Sequence, residues 1–172
     1  MENTQLSRFC QTIDLWISFL PDYSMEQLSK RPHAGAWSLG QVYKHLVIDT
    51  GFFAEQMQLA LTAGNADEHM HPHAITIFAN NSFPDEPQAN PYNDINMPQP
   101  GSKEELAKAL IAIKNDVLQL EFDGRTSGKT KHPGLGYFTA QEWLQFADMH
   151  MRHHLRQKRD IDAALGNTTL SH

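Results

Sequence analysis

Cysteine and long apolar runs are both scarce in this sequence. The 172 residues contain one cysteine, Cys10, which excludes an intramolecular disulfide framework. No run reaches the length of about 18 apolar residues that a membrane-spanning helix needs. The N-terminal MENTQLSRFC is polar and acidic, whereas a secretory signal would be basic and then apolar. These absences predict a cytoplasmic protein with no membrane partner.

Basic residues are also few. Lysine and arginine total 14 against 20 aspartates and glutamates, so the net charge is −6 with neutral histidines. An acidic surface repels the phosphate backbone, which argues against general nucleic-acid binding. The hydrophobic fraction of 40% and charged fraction of 20% are typical of a globular protein. The length suits a single domain covering residues 1–172.

Four stretches carry apolar residues at helical spacing and no stretch has a convincing strand pattern. Three of them begin with a capping box, in which a serine or threonine precedes a glutamine or glutamate by three residues. The sequence therefore predicts an all-α four-helix bundle. The predicted helices lie near residues 4–20, 38–63, 102–123 and 139–165, with a short helical turn at 24–30.

Residues 64–101 form a predicted long crossover between helices two and three. Prolines interrupt this segment repeatedly, and only residues 74–80, AITIFAN, could form a short helix. His69, His71 and His73 alternate within it and could bind a metal. A loop without a carboxylate or cysteine frame favours a structural role for them instead.

The last predicted helix has an unusual core-facing stripe, whose apolar ends enclose His150, His154 and Gln157. A buried polar group without a partner costs roughly 1–3 kcal/mol, so these side chains need partners. Imidazoles one turn apart, with Cβ atoms about 6 Å from each other, suit two ligands of one metal ion. The full stripe is Trp143, Ala147, His150, His154, Gln157, Ile161 and Leu165.

His45 on helix two is the candidate third ligand. In a bundle it can meet His150 and His154, and three neutral imidazoles bind zinc, nickel, iron, cobalt or manganese with coordination positions left open. A lone histidine beside an apolar face is more often a satisfied core residue, and that alternative stays open.

Three further residues are expected around this site. His153 projects about 100° away from His154, so it is expected to flank the site. Gln157 could orient a ligand histidine through its amide. Asp49, one turn from His45, could do the same or act as a base.

Several short motifs together resemble the DinB-like superfamily. Trp37-Ser38 with Gln41, His45 and Leu46 resembles its second-helix motif, and His150-x3-His154-x2-Gln157 resembles its C-terminal HxxxHxxQ motif. Residues 132–143, HPGLGYFTAQEW, resemble the approach to that helix in an uncharacterised branch. The resemblance implies an up-down-down-up bundle and a three-histidine site, usually with nickel or zinc, at the positions of His45, His150 and His154.

The resemblance also sets out the candidate functions. Characterised relatives include thiol S-transferases that use bacillithiol, mycothiol or glutathione, and maleylpyruvate-isomerase-type enzymes. A thiol S-transferase-like enzyme is therefore the leading hypothesis, with the ion lowering the pKa of a small thiol. A hydrolase that activates water is the alternative within the same chemistry. The expected partner is a small-molecule substrate, such as a low-molecular-weight thiol, and a homodimer is left open.

Two non-catalytic alternatives remain. One is a metal-binding stress-response protein, whose site a fourth protein ligand would close. The other is an interaction module in which the histidines pair with buried carboxylates and bind no metal.

Overall fold

The computed structural model describes residues 4–84, 96–122 and 128–167. Long helices dominate these residues: α1 (Thr4–Phe19), α3 (Leu39–Thr62), α5 (Lys103–Leu118) and α6 (Ala140–Leu165). Two shorter helices are α2 (Met25–Ser29), which follows a 3-10 turn at Leu20–Asp22, and α4 (Pro72–Asn80). A hairpin of β1 (Lys129–His132) and β2 (Gly136–Thr139) precedes α6.

The long helices enclose one apolar core. Helix α6 packs against α1 and α3, and α5 packs against the same two helices from the opposite side. Burying a large apolar side chain contributes about 1.5–3 kcal/mol, so this core provides the main stabilising free energy. Its fully buried members include Phe9, Ile13 and Trp16 of α1, Leu46 and Met57 of α3, Leu106 and Leu110 of α5, and Trp143 and Leu144 of α6.

Local capping sets where the helices begin. The predicted capping boxes form completely at Ser38 and Thr139, where side chain and backbone exchange hydrogen bonds with the residue three positions on. At the start of α5, Ser102 accepts from the backbone N–H of Glu105, but the Glu105 carboxylate accepts from Gly101 instead. The starts of these helices therefore follow from short sequence motifs.

The third predicted helix is shorter than expected. Helix α5 ends at Leu118, whereas the prediction ran to residue 123, which lies outside the described residues. Leu120 follows in a turn, its N–H bonded to the carbonyl of Val117, and still packs on the core. Its burial continues the apolar stripe beyond the helix, which explains the overextended prediction.

The expectation that no strands are present was wrong at residues 129–139. Strands β1 and β2 pair antiparallel, with Lys129 opposite Thr139 and His132 opposite Gly136. Each has only four residues, too few for an alternating pattern to stand out. The buried ring of Phe138 lies one residue before the N-cap of α6, so the hairpin anchors the start of the helix that carries His150 and His154.

The crossover is tied to this hairpin through its histidine-rich part. The N–H of His71 donates to the carbonyl of Leu135 at 2.8 Å, and the N–H of Tyr137 donates to the carbonyl of His69 at 3.1 Å. The imidazole of His71 caps α4 by accepting from the N–H of His73. Helix α4 matches the expected short helix at 74–80, while residues 85–95 of the crossover lie outside the described residues. In the part of the chain that is described, every helix is too short or too polar to cross a bilayer.

Candidate metal centre

Three imidazoles meet between α3 and α6. Nε2 of His45 lies 3.1 Å from Nε2 of His150 and 3.1 Å from Nε2 of His154, and the two α6 nitrogens are 3.2 Å apart. His150 and His154 are one turn apart on α6, so both rings leave the helix on the same side. The three Nε2 atoms therefore form a nearly equilateral triangle.

Aromatic side chains surround this histidine triangle. The indole of Trp37 packs against the ring of His45 with 5.1 Å between centroids. Phe53 meets His150 edge to face at 5.4 Å, and Phe83 lies 6.4 Å from the same ring. These rings fix the imidazole orientations and keep water from most of their surface.

Burial keeps the imidazoles uncharged at neutral pH. It lowers the pKa of His45 to about 4 and, with the neighbouring histidines, that of His154 to about 3. The pKa of His150 is lowered well below its ordinary value by burial and by the adjacent imidazoles. The neutral imidazole is the form that binds a metal ion.

A hydrogen bond from Gln157 selects the tautomer of His154. Oε1 of Gln157 lies 2.8 Å from Nδ1 of His154, and because a carbonyl oxygen only accepts, Nδ1 must carry the proton. The lone pair of His154 is then on Nε2, inside the triangle. By contrast, Nδ1 of His150 is buried and has no hydrogen-bond partner among the described residues.

Asp49 lies on the Nε2 side of the triangle. Its Oδ2 is 3.5 Å from Nε2 of His45 and 3.7 Å from Nε2 of His150. Burial raises the pKa of this carboxyl to about 6. The helical spacing places Asp49 one turn from His45 but does not determine which ring nitrogen the carboxylate faces. The structure shows that it faces Nε2.

The donor set fits a divalent metal ion. Two nitrogens that each lie about 2.1 Å from one ion are separated by roughly 3 Å, close to the observed spacing. Three imidazole nitrogens beside one carboxylate oxygen suit zinc, nickel, cobalt or iron. Converging lone pairs repel one another unless a cation or shared protons lie between them, and a single ion would satisfy all three. The ligand atoms of His45, His150 and His154 all lie within 4.8 Å of one another, and among the described residues these three form the cluster of histidine, cysteine, aspartate or glutamate side chains that could hold an ion.

The other sequence candidates lie outside the triad. Nδ1 of His153 accepts a hydrogen bond from the guanidinium of Arg156 at 2.8 Å, and its ring packs against Phe83. His69, His71 and His73 contribute to the crossover and do not approach the triad closely enough to join it. The Cys10 thiol on α1 is half-buried, and burial raises its pKa, which disfavours the reactive thiolate.

Comparisons with known proteins agree with this architecture. The structure of YfiT from Bacillus subtilis, described as "a probable metal-dependent hydrolase with an unusual four-helix bundle topology", superposes with a TM-score of 0.62. The match covers 98% of this chain and 91% of that one at 15% sequence identity, and shows that the two share a four-helix bundle fold. None of the curated proteins is significantly similar in sequence. A sequence model of the DinB superfamily matches residues 8–157, and the chain therefore belongs to that superfamily.

Proposed function

We propose that this protein is a divalent-metal-dependent enzyme of the hydrolase type, with His45, His150 and His154 as the metal ligands. One observation carries the proposal: three neutral imidazoles direct their Nε2 atoms at one point, with the Asp49 carboxylate beside them. The description of YfiT as a probable metal-dependent hydrolase supports the same reaction class.

Each residue near the triad has a separate task in this proposal. An ion held there would supply Lewis acidity, which lowers the pKa of a water or thiol toward neutrality. Gln157 holds His154 in the tautomer whose Nε2 can bind. Oδ2 of Asp49 is positioned to accept a proton from the nucleophile. Trp37 and Phe53 exclude water from the ligand rings.

The position of Asp49 favours water over a thiol as the nucleophile. Water is the weaker acid, so it gains more from a carboxylate that accepts its proton. The thiol S-transferase activity implied by the resemblance and the cytoplasmic location stay predictions, and a homodimer stays open. One assay with and without added thiols separates the two chemistries.

The order of the contacts supports an up-down-down-up arrangement of the long helices. Later residues of α1 contact later residues of α6, so these two helices run parallel, and the same holds for α3 and α5. Later residues of α3 contact earlier residues of α6, so that pair runs antiparallel. This arrangement brings His45 in the first half of α3 beside His150 and His154 near the middle of α6. The pairs are Thr12–Asp148 and Trp16–Met151, Lys44–Glu105 and Gly51–Ile113, and Phe53–Trp143 and His45–His154.

The test is a hydrolysis assay on protein made without a histidine tag. Metal-free protein is loaded separately with zinc, nickel or cobalt and given chromogenic esters, amides and phosphoesters, with and without small thiols. We expect metal-dependent hydrolysis without a thiol, abolished in His154→Ala. We also expect kcat to fall about 100-fold or more in Asp49→Asn. Asp67→Asn, an exposed carboxylate outside the site, is the matched control and keeps the activity.

Two results would reject the hydrolase proposal. Equal rates for the wild type and His154→Ala across the panel would favour a non-catalytic protein. Turnover that requires an added thiol, with the metal bound, would instead assign the S-transferase chemistry.

A further inference from the structure

A cavity of about 600 Å³ lies beside the metal centre, between the segment that joins α2 to α3 and the C-terminal half of α6. Cavities of this size accommodate small organic molecules. Five residues of the segment from Pro32 to Trp37, His33 among them, form one wall, and Gln157, Asp160, Ile161 and Ala164 form the other.

Two of these wall residues directly contact the histidine triad. Trp37 packs against the ring of His45, and Gln157 holds Nδ1 of His154. The cavity therefore adjoins the side of His154 that faces away from the Nε2 triangle. A molecule bound there would touch the groups that orient two of the three imidazoles without occupying the position of the ion.

The chemistry of the walls selects the kind of ligand. Trp37 and Ile161 are almost fully buried, and with the partly exposed Pro32 they form the apolar floor on which a hydrocarbon body would lie. Asp160 supplies an exposed carboxylate that has no hydrogen-bond or ion-pair partner among the described residues. His33 is the one basic side chain in the described lining, and its Nδ1 lies 3.0 Å from the carbonyl oxygen of Ala34. A protonated amine is attracted by the Asp160 carboxylate, whereas an anion is repelled by it and meets neither a lysine nor an arginine in the described lining.

We propose that this cavity is a binding site for a small molecule that joins a protonated amine to a flat apolar body. The site goes beyond the proposed metal function, because none of its wall residues is a metal ligand and binding requires no ion. Gln157 belongs to both sites, so an occupant that displaces its amide changes the affinity for the metal, and the metal changes the affinity for the occupant by the same factor.

The experiment uses three probes of one shape and different charge: 2-phenylethylamine, 2-phenylethanol and 3-phenylpropionate. Their affinities are measured by calorimetry on metal-free and on zinc-loaded protein. We expect the amine to bind most tightly and the carboxylate most weakly in both forms. Asp160→Asn should weaken the amine about two- to five-fold, as expected for a partly exposed charge pair, and leave the alcohol unchanged.

Substitutions of two neighbouring alanines on α6 test where the probe binds. Ala164→Leu places a larger side chain in the cavity, and we expect amine affinity to fall about tenfold or more because the occupied space is filled. Ala163→Leu makes the same exchange one residue away, at an exposed position outside the lining, and should bind like the wild type.

Three results would overturn the inference. They are absence of amine binding in both forms of the protein, equal affinity for the amine and the carboxylate, or equal effects of the two alanine variants. The proposed metal function can fail independently: amine binding to a protein that takes up neither zinc nor nickel nor cobalt would support the cavity site and reject the metal site.

A second arm distinguishes an effector from a substrate. Amine-bearing esters or amides that are hydrolysed with a KM matching their affinity for the cavity would identify the amine as part of a substrate. Amines that change zinc affinity or hydrolysis of uncharged esters, without themselves reacting, would identify an effector of the same chemistry. Either result supports binding at the cavity, provided that Ala164→Leu removes it.

Discussion

Gln157 accepts a hydrogen bond from Nδ1 of His154 at 2.8 Å, and this contact determines which nitrogen of His154 can bind an ion. Without it, the proton could move to Nε2 and block the lone pair in the triangle. The two residues are three positions apart on α6, so the helix itself brings their side chains together.

Loss of the Gln157 amide should therefore weaken metal binding. We expect Gln157→Ala to lower zinc affinity about 10- to 100-fold, the usual effect of removing a group that orients a ligand histidine. Gln58→Ala, at an exposed position of α3, is the control and should retain wild-type affinity. Competition with a chromogenic chelator measures both. Equal affinities would show that Gln157 does not orient His154.

A buried ion pair further along α6 should matter for stability. Nζ of Lys158 lies 2.9 Å from Oδ2 of Asp162, both side chains are almost fully buried, and Tyr23 donates to the same oxygen. Asp162→Asn leaves the ammonium without a counter-charge, and we expect the free energy of unfolding to fall by about 3–5 kcal/mol.

The matched control for this pair is on the surface. Lys114 and Asp14 are also in contact, at 2.7 Å, but Asp14 is about half exposed. Asp14→Asn should cost about 1 kcal/mol or less, because water screens the pair. Urea unfolding measures both variants. If both lose the same stability, the Lys158–Asp162 pair is not desolvated as described.

The hairpin contact of Gly136 gives a third prediction. Its φ is +85°, and a Cβ there would lie 2.6 Å from both the carbonyl oxygen of His69 and the backbone nitrogen of His71. We expect Gly136→Ala to lower the free energy of unfolding by about 1–3 kcal/mol or more, since backbone must move. Gly134→Ala, where a Cβ meets nothing within 4 Å, should change it little. A smaller loss in Gly136→Ala than in Gly134→Ala would contradict the packing of the crossover on the hairpin.

The histidine positions could be anticipated from the sequence because helical geometry is local. His150 and His154 share a face by their spacing alone, and the capping boxes at Ser38 and Thr139 fix where α3 and α6 begin. His45 could meet them in a bundle, and the resemblance supported it as the third ligand. Each of these inferences depends on residues within one helix or on a known motif.

What could not be predicted depends on tertiary contacts. The β1–β2 hairpin is stabilised by Phe138 in the core and by the crossover, neither of which a four-residue strand encodes. Asp49 also lies 3.7 Å from Nε2 of His150, because α6 packs against α3, and the spacing within α3 does not show that contact. The cavity beside Trp37 exists only between two segments that are far apart in sequence.

His132, a partly buried histidine outside the triad, predicts a pH dependence of stability. Burial among Phe138, Trp143 and Phe146 lowers the pKa of His132 from 6.5 to about 4. The unfolded chain then binds this proton more tightly, so His132 lowers the free energy of unfolding as the pH falls from 6.5 toward 4 and has no such effect above 6.5.

His132→Phe isolates this contribution. The metal-free wild type should lose stability between pH 6.5 and 4, and the variant should lose less over the same range. Other buried histidines remain, so the slope should decrease without vanishing. Urea unfolding at several pH values measures it, and an unchanged slope would show that His132 is not buried as a neutral ring.

The most direct test of the whole account is a metal titration of protein made without a histidine tag. Metal-free wild type is titrated with zinc against a chromogenic chelator, beside His154→Ala and beside His71→Ala, which changes a histidine of the crossover. We predict one zinc ion per chain for the wild type and for His71→Ala, and an affinity about 100-fold lower or worse for His154→Ala, which loses one of three ligands. No binding by the wild type, or equal loss in the two variants, would contradict a metal site formed by His45, His150 and His154.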